Sequence, residues 1–414
     1  MPGAVYDQSP HPRRPRASAP AEHRLSRREF VRSTGIVAAA TIAPFSFVRT
    51  ASARTDRLHR YLEKKLETCN TPSVAVAVVQ GEDIVFADAA GWADRQHRLR
   101  AMPQTPYMLA SISKTITCAG IMALVEDGRL DLDTDVNEYL PFEVHVPKTP
   151  DVPITMRMLL THTSAIRDRY QVWGTPWSDP TLYFHGDSPI SLGDFCRSYF
   201  EVGGSEYEKQ GNFYERPPGT KYAYSNLAVA LSGYVAESVS GVDFDEWCLR
   251  RIFRPLAMAN SGFRLADVEA STVAMPYSSS PQGFDPIFQY GYPDYPDGEV
   301  RTSAKYLARW LGAFMNFGES QGVRVLEADT VREIRRNQIP DLVGWRQGLI
   351  WYGDGWPGYP TLGHDGGDYG VTTRMFFRPD RRVGVVTLTN SYLNEQHWVR
   401  FSDIEARLFA EFSS

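Results

Sequence analysis

The chain has 414 residues, of which 43% are hydrophobic and 22% are charged, so it is long enough for one large domain or two smaller ones. Residues 1–53 hold eight arginines and three acidic residues, which leaves a net charge of about −10 on the remainder. So acidic a body argues against nucleic acid or an anionic membrane as a partner. The four cysteines have no C-x-x-C spacing, which argues against a cysteine metal site and leaves disulfide pairing open.

The N-terminal segment has the features of an export signal. Residues 1–23 are rich in Pro, Ala, Arg and Ser and are predicted to be disordered. Arg27-Arg28 precedes a mildly apolar run at residues 35–48, and Ala51-Ser52-Ala53 follows with small residues at cleavage-site spacing. This order predicts a twin-arginine signal and a periplasmic or secreted protein. The alternative is an arginine-rich tail beside a short buried helix, and the apolar run is too short for a stable membrane anchor.

Hydrophobic periodicity and turn residues predict the elements that follow. The expected helices and strands, in chain order, are a helix at 55–68, strands at 73–80 and 83–89, helices at 115–126, 227–240 and 303–317, strands at 372–378 and 383–389, and a helix at 395–412. Residues 91–105 are predicted to be a loop. The aromatic segments 167–216 and 284–298 are predicted to be irregular. The segment 167–216 could line a pocket, or its aromatic side chains could pin an irregular cover to the body, and the loop at 284–298 could border a site.

The first candidate motif is Ser111-Ile112-Ser113-Lys114, at the start of an apolar helix. Residues three apart share one face of a helix, so the side chains of Ser111 and Lys114 can meet. A serine hydroxyl becomes a good nucleophile when a neighbouring base takes its proton, and a lysine can be that base if its pKa is lowered. Lys114 is the one lysine of the seven with a serine three residues before it. The alternative is that Ser111 caps a helix and Lys114 is a solvated charge.

Two later motifs could complete a serine hydrolase. In Tyr224-Ser225-Asn226, the phenol of Tyr224 could carry a proton to the leaving group, since a nearby ammonium favours its ionisation. Asn226 could donate to a substrate carbonyl and help to hold Lys114. His364 and Gly366 are predicted to lie on a strand edge, where glycine lets the backbone approach a substrate closely.

The three motifs, in this order, resemble those of the β-lactamase and penicillin-binding-protein superfamily. The Y-x-N and H-x-G forms are similar to those of class C β-lactamase-related serine hydrolases, which include secreted DD-carboxypeptidases, D-aminopeptidases and esterases. The resemblance covers roughly residues 56–412. Within that range, the segments 71–75, 111–132, 159–164, 218–222 and 383–390 also resemble the family's sequences outside the three motifs.

This resemblance implies an α+β fold, an α/β sandwich. Strands from both ends of the domain would form an antiparallel sheet flanked by helices, as in β-lactamases and transpeptidases. The predicted organisation is a signal and disordered N-terminus at 1–53 and one hydrolase domain at 54–414. Within that domain, a mostly helical lobe at roughly 106–265 would be inserted between α/β parts at 54–105 and 266–414.

The resemblance also implies a mechanism. Ser111 would be acylated and water would then hydrolyse the acyl-enzyme, with an oxyanion hole made by the backbone N–H groups of Ser111 and Gly367. The catalytic residues would be Ser111, Lys114, Tyr224 and Gly367, and the substrate-binding residues Asn226, His364 and Gly366. No metal or organic cofactor is implied. The partner would be a small molecule or short peptide, and the oligomeric state is left open.

Two departures from the family pattern bear on the substrate. Ala165 stands where many relatives have glycine, which matters if the position needs a positive φ. Asp365 and Gly367 stand where relatives that bind a substrate carboxylate often have threonine hydroxyls. An acidic side chain and a glycine offer no such donor, so this pattern favours an ester or small amide over a β-lactam or a peptide ending in D-Ala.

Three further sequence features each allow a functional and a structural interpretation. The segment 318–322 matches G-x-S-x-G around Ser320, but a helix precedes it where a nucleophile elbow needs a strand, so a surface loop is predicted. His162 could be a second base, and a satisfied structural histidine is the preferred interpretation. A metal site at His364, Asp365 and Asp368 is disfavoured because neighbouring residues of a strand point to opposite faces.

The sequence therefore predicts an exported serine hydrolase that acts through Ser111 on a small ester or amide. The first alternative is a DD-carboxypeptidase or β-lactamase, acting on D-Ala peptides or β-lactams. The second is a non-catalytic ligand-binding relative on the same fold.

Overall fold

A computed structural model describes residues 45–169, 183–280, 283–355 and 358–413, with side chains from residue 53 onward except that of residue 354. Residues 52–414 form one compact unit, and residues 1–51 form another, of which only the backbone from residue 45 is described. Most of the predicted export segment, and Tyr170, Trp173 and Trp177 of the aromatic segment, lie outside the described residues. The predicted domain boundary at residue 53 stays a prediction.

The helices are numbered in chain order. They are α1 Phe45–Thr68, α2 Ser113–Glu126, α3 Met156–Leu160, α4 Leu192–Phe200, α5 Asn226–Ser240, α6 Phe244–Cys248, α7 Ala304–Met315, α8 Ala328–Arg335 and α9 Glu395–Phe412. Short 3₁₀ turns at Ala110–Ile112 and Tyr295–Asp297 matter for the site described below.

The strands are numbered in the same way. They are β1 Ser73–Gln80, β2 Asp83–Asp94, β3 Leu99–Arg100, β4 Pro106–Met108, β5 Phe184–His185, β6 Tyr277–Ser280, β7 Gly283–Pro286, β8 Tyr290–Gly291, β9 Arg301–Ser303, β10 Glu319–Ser320, β11 Val323–Arg324, β12 Tyr352–Asp354, β13 Thr361–Asp368, β14 Val371–Arg378 and β15 Val383–Thr389.

The main sheet joins the two ends of the domain. Its strand order is β12-β13-β14-β15-β1-β2-β3, and every neighbouring pair is antiparallel. In the central pair, Val76 of β1 lies opposite Thr387 of β15. The predicted α+β fold, with an antiparallel sheet built from N- and C-terminal strands, is confirmed.

Both faces of this sheet are covered by helices. Ala75, Ala77 and Val79 of β1 belong to a core cluster that includes residues of α2 and α7. The alternate residues of β1, at 74, 76 and 78, belong to a second cluster with residues of α1 and α9. Successive side chains of a strand point to opposite faces, so the unbroken apolar run of β1 fits a strand buried on both sides.

Several predicted elements match the structure, and others differ at their ends. Strands β1 and β15 and helix α9 have the predicted bounds. Strand β2 continues to Asp94 and pairs with β3, in a stretch predicted to be a loop, because the added pairing comes from a partner that local periodicity does not show. Helix α1 begins at Phe45 instead of residue 55 and includes the predicted cleavage site. Residues 45–54 contain no glycine or proline to interrupt the helix.

Three further findings concern the cysteines, the length and hydropathy of the helices, and the backbone at Ala165. Cys69, Cys118, Cys196 and Cys248 are free thiols, and all four are buried. No helix among the described residues is both long and apolar enough to cross a bilayer. Ala165 has a φ of +61°, so the position does need the left-handed conformation, which is the condition under which the absence of glycine was expected to matter.

Candidate active site

Ser111 and Lys114 meet at the start of helix α2. Ser111 lies in the 3₁₀ turn at Ala110–Ile112, which leads directly into the helix, and Ala110 before it has a φ of +49°. Such a conformation is strained for a residue with a Cβ and persists where its surroundings impose it. The Lys114 ammonium donates a hydrogen bond of 3.0 Å to Ser111 Oγ. The structure thus places the two side chains in contact, as their spacing predicts.

The Lys114 side chain is fully buried and is held by a second segment of the chain. Its Nζ donates to the carbonyl oxygen of Asp297 at 2.6 Å and lies 3.7 Å from Asp297 Oδ1. Burial favours a lower pKa for Lys114, but its interactions with Tyr224 and with the carboxyl groups of Asp297 and Asp168 outweigh that effect, and the net pKa is raised. Lys114 is therefore an ammonium in the ligand-free protein, and the condition for a free lysine base is not met there.

Helix α2 fixes the segment that carries Asp297. Ser113 Oγ accepts from the backbone N–H of Val300 at 3.0 Å, and Thr117 Oγ1 donates to the carbonyl oxygen of Pro296 at 2.5 Å. These hydroxyls are one residue before and three residues after Lys114, on the same helix. The loop at 294–300 therefore cannot shift without breaking several contacts to the helix that starts at the nucleophile.

The second motif lies at the N-terminus of helix α5, where Asp168 organises it. Ser225 caps the helix by accepting from Ala228 N–H, and its own hydroxyl donates to Asp168 at 2.6 Å. Asp168 also accepts from the backbone N–H groups of Asn226 at 2.7 Å and Leu227 at 3.2 Å. A carboxylate is favoured at this position because it satisfies helix N–H groups that have no partner within the helix.

Tyr224 lies beside the first motif. Lys114 Nζ is 5.2 Å from the centre of its ring. Burial raises the pKa of Tyr224, while the Lys114 charge and hydrogen bonds with Lys114 and Ser111 oppose the rise without cancelling it. Tyr224 is therefore a neutral phenol in the ligand-free protein, in contact with both Ser111 and Lys114.

His162 packs against Tyr224 with 4.4 Å between ring centres. Its Nδ1 accepts from Ser225 N–H at 3.3 Å, so the neutral ring carries its proton on Nε2, which has no partner among the described residues. The interpretation as a satisfied structural histidine is therefore wrong for this nitrogen. Burial, with the charges of Lys114 and His364, holds the pKa of His162 well below its usual range.

The third motif lies on strand β13, which presses against the nucleophile. A Cβ built on Gly366 would overlap the carbonyl oxygen of Leu109, and it would lie 2.5 Å from Thr373 Oγ1 and 3.0 Å from Ser111 N. Glycine is thus required by the approach of β13 to the backbone around Ser111. Gly367 is exposed, and a Cβ there would meet nothing closer than 3.6 Å.

His364 of the same motif is buried and neutral. Its Nδ1 donates to the carbonyl oxygen of Asp365 at 2.5 Å, because a carbonyl can only accept. Burial lowers the pKa of His364 to about 4, against the opposing effect of Asp365. Its ring centre lies 6.4 Å from that of Tyr224, so His364 borders the cluster formed by the first two motifs.

A pocket of about 70 Å³ opens at Ser111. Four of its twelve described lining residues are aspartates, and no lysine or arginine is among them. The lining residues are Ala110, Ser111, Asp168, Tyr183, Asn226, Leu227, Tyr292, Asp294, Asp297, Gly298, Gly367 and Asp368. The prediction that residues 284–298 border a site is confirmed by Tyr292, Asp294, Asp297 and Gly298.

The structure thus brings most of the predicted residues together and adds others. Ser111, Asn226 and Gly367 line the pocket, Lys114 and Tyr224 contact Ser111, Gly366 packs on its backbone, and His364 lies next to Tyr224. Sequence reasoning missed Asp168, Asp294 and Asp297 as site residues. An aspartate-rich loop was visible at 294–297, but nothing local indicated that it folds onto Lys114.

The competing features are resolved in the described part of the chain. Ser320 lies in a short hairpin of β10 and β11, so the required strand and helix do not flank it and the G-x-S-x-G match is no nucleophile elbow. It is also largely buried, so the predicted surface position is wrong. No group of three or more His, Cys, Asp or Glu side chains among the described residues is arranged to hold a metal ion.

Comparison with solved structures gives the same fold. The D-amino acid amidase from Ochrobactrum anthropi SV3 with bound D-phenylalanine superposes with a TM-score of 0.67 and 18% identity, over 85% of this chain and 96% of that one. The hydrolase EstCE1, described as having promiscuous acyltransferase activity, gives 0.65 and 18% over 86% and 98%. An octameric penicillin-binding protein homologue from Pyrococcus abyssi gives 0.64 and 24% over 85% and 77%.

Sequence relatives are distant and longer than the matched region. Protein flp of Staphylococcus aureus strain N315 is 22% identical over 275 residues, which are 65% of this chain and 50% of that protein. Unguisins hydrolase ungD' of Aspergillus campestris is 24% identical over 344 residues, 80% of this chain and 60% of that protein. The chain thus spans about half the length of the first of these relatives.

The sequence profile of one family extends over most of the domain. It matches residues 58–400, a range that contains all three motifs and the whole main sheet. The chain therefore belongs to the Beta-lactamase family.

Proposed function

We propose that the protein is a serine hydrolase that forms an acyl-enzyme on Ser111. The observation that carries this proposal is the hydrogen bond that the fully buried Lys114 ammonium donates to Ser111 Oγ, since Ser111 itself lines a pocket. Burial of a lysine ammonium costs desolvation free energy. A buried lysine whose nitrogen contacts a serine hydroxyl is therefore a candidate for proton transfer.

The proton route follows from the contacts of Ser111. Lys114 and Tyr224 are both protonated at rest, so one of them must lose a proton before it can accept that of Ser111. Ser111 Oγ then bonds to the substrate carbonyl carbon, and the bond to the leaving group breaks. Tyr224, in contact with both partners, returns the proton to the leaving oxygen or nitrogen. Water repeats the sequence on the acyl-enzyme and releases the acid.

The backbone N–H groups of Ser111 and Gly367 are the proposed donors to the oxyanion. Gly367 is exposed in the pocket, and the adjacent Gly366 lets β13 lie against the Ser111 backbone. Asn226 is the proposed donor to a substrate carbonyl from the opposite wall. His364, neutral and buried, would contribute hydrogen bonding and not charge.

The substrate we propose is a small ester or amide. Four aspartates in the pocket would repel the carboxylate that β-lactams and D-Ala-terminated peptides present. Among proteins of this fold, one is named a D-amino acid amidase and another a hydrolase, so the fold accommodates such reactions. A DD-carboxypeptidase or β-lactamase remains the second candidate, and the penicillin-binding protein homologues of this fold favour it.

The test is fluorophosphonate labelling followed by peptide mass mapping, together with hydrolysis of p-nitrophenyl esters. We expect the label on Ser111, and we expect Ser111→Ala to lose both the label and turnover. Ser320→Ala, at the G-x-S-x-G match, is the matched control and should keep both. An unlabelled Ser111 with no ester turnover would favour a non-catalytic binding protein, and equal activity in both variants would refute the mechanism.

We also propose export through a twin-arginine signal. The support is sequence alone, from Arg27-Arg28 and the apolar run that follows. Fusion of residues 1–53 to a reporter in a bacterium with this pathway should place the reporter outside the cytoplasm. When both arginines are replaced by lysine, the reporter should stay in the cytoplasm. Equal export of the two fusions would refute the twin-arginine route.

A further inference from the structure

Two of the pocket aspartates are matched by hydrogen-bond donors of the protein. Asp368 accepts from Tyr292 OH at 3.1 Å, Tyr183 OH at 3.2 Å and Tyr369 N–H at 2.7 Å. Asp168 accepts three hydrogen bonds at the start of helix α5, as described above. These two carboxylates are therefore accounted for as supports of the pocket wall.

Asp294 and Asp297 form a different kind of pair. Asp294 directly precedes the 3₁₀ turn that ends at Asp297, and both residues line the pocket. Burial is the main cause that raises the pKa of both, to about 7 for Asp294. The charge of Lys114 opposes this rise at Asp297, so the pair keeps a negative charge beside the lysine. Lys114 Nζ lies 3.7 Å from Asp297 Oδ1 and also donates a hydrogen bond to Ser111 Oγ.

Asn226 adds an acceptor to the same pocket. Its Oδ1 is shielded from solvent and has no hydrogen-bond partner among the described residues. A buried acceptor without a donor costs free energy, which a ligand that donates there would recover. The pocket therefore offers a negative charge and an unmatched acceptor, and the group that satisfies both is a positively charged donor.

We propose that Asp294 and Asp297, with Asn226 Oδ1, bind a protonated primary amino group of the substrate. This rests on the proposed function and narrows it to esters or amides of amino acids with a free amine. The amine must lie close to the scissile carbonyl, because Asp297 contacts the same Lys114 nitrogen that contacts Ser111.

Amine binding would also act on the proton route. The substrate ammonium adds a positive charge beside Asp294 and Asp297 and compensates their negative charge. That charge is among the causes that hold Lys114 as an ammonium. Its compensation makes the Lys114 proton easier to lose just when the substrate is in place, so the amine should raise kcat as well as lower KM.

The experiment compares two esters of the same shape, using the full chain. Alanine methyl ester, as both enantiomers near pH 7, is mostly in the ammonium form, and methyl isobutyrate carries a methyl group in its place. We expect kcat/KM for the better alanine enantiomer to exceed that for methyl isobutyrate by about tenfold to a hundredfold, the range for a charged hydrogen bond. A ratio of one or less would overturn the proposal.

The variant Asp294→Asn/Asp297→Asn removes the charge and keeps groups of similar shape. Its ratio should fall towards one, whereas Asp285→Asn, an exposed acid on strand β7 outside the pocket, should keep the wild-type ratio. A wild-type ratio retained in the double variant would refute the role of the pair. If that variant does not fold, the following protection test decides, because an α-ammonium also activates the ester carbonyl by itself.

A test without turnover separates this proposal from the proposed function. Alaninamide should protect Ser111 of the wild-type protein from fluorophosphonate labelling, and isobutyramide, its neutral counterpart, should protect it at least about tenfold less well. Equal protection, or none from either, overturns amine recognition while the label on Ser111 upholds the nucleophile. No labelling in the absence of amides refutes the proposed function itself.

Discussion

Consecutive residues of strand β14 point to opposite faces of the main sheet. Each face has a buried cation, and the two cations differ in how closely a carboxylate pairs with them. Thr373 points towards the site, where its hydroxyl donates to the carbonyl oxygen of Leu109 at 2.7 Å. Arg374 points to the other face, where its Nε donates to Glu405 of helix α9 at 2.7 Å. On the site face the buried cation is Lys114, whose nearest carboxylate oxygen lies 3.7 Å away.

The difference lies in what each cation can do with its protons. The Arg374 side chain and that of Glu405 are almost completely buried, and the carboxylate raises the pKa of the guanidinium against the effect of burial. A guanidinium does not lose its proton in proteins, so this pair ties α9 to the sheet and nothing more. Lys114 lies farther from its carboxylate partner and donates one hydrogen bond to Ser111. Its proton can therefore be transferred within the site.

The largest expected effect comes from replacing the cation of the site face. Lys114→Met keeps an unbranched side chain of similar length but removes the proton acceptor, so kcat/KM for esters should fall by about 10³-fold or more. The measurement is ester hydrolysis together with the rate of fluorophosphonate labelling of Ser111. Lys148→Met, at an exposed ion pair with Glu215, is the control and should keep wild-type rates. Equal rates in both variants would remove Lys114 from the mechanism.

Breaking the pair on the other face should affect stability instead. Glu405→Ala leaves a buried guanidinium without its carboxylate, which typically costs about 3–5 kcal/mol of unfolding free energy. Glu411→Ala removes an ion-pair partner of exposed Arg57 and Arg407 from the same helix and should cost about 1 kcal/mol or less. Urea unfolding of both variants measures the difference. Losses of equal size would mean that the buried pair does not tie α9 to the sheet.

A smaller effect should follow where strand β13 meets the nucleophile. Gly366→Ala places a methyl group against Leu109, Thr373 and the Ser111 backbone, and such overpacking costs about 1–3 kcal/mol. It should also lower kcat, since Ser111 moves with its backbone. Gly367→Ala, whose Cβ has room, should lose less of both. Unfolding midpoints and ester kinetics compare the two, and equal losses would contradict the close approach.

The two faces also differ in how far sequence reasoning reaches. The bounds of β1, β15 and α9 follow from local periodicity, and the contact between Ser111 and Lys114 follows from a spacing of three on a helix. The order of the three motifs was sufficient to indicate the family and its antiparallel sheet. These predictions depend on residues that are close in sequence, or on a resemblance that supplies the rest.

What sequence reasoning missed depends on contacts between distant segments. Asp297 is 183 residues from Lys114, and only the folded loop brings its charge to the lysine, where it helps to raise the pKa of Lys114. Asp168 acts on helix α5 from 57 residues away. The φ of Ala165 and the unmatched Nε2 of His162 likewise depend on packing, which periodicity does not show.

The last prediction concerns the pH dependence of the site and follows from that distant charge. Asp297 raises the pKa of both Lys114 and Tyr224, and one of these groups must lose its proton before Ser111 can be acylated. The kcat/KM of a neutral ester should therefore rise with pH through an alkaline limb. Asp294→Asn/Asp297→Asn removes the negative charge and lowers both pKa values, so that limb should move to lower pH. Asp294→Asn alone leaves the charge on Asp297, and its limb should stay at the wild-type pH or move higher. If the alkaline limb moves equally in the two variants, the negative charge of Asp294 and Asp297 does not control the proton transfer from Ser111.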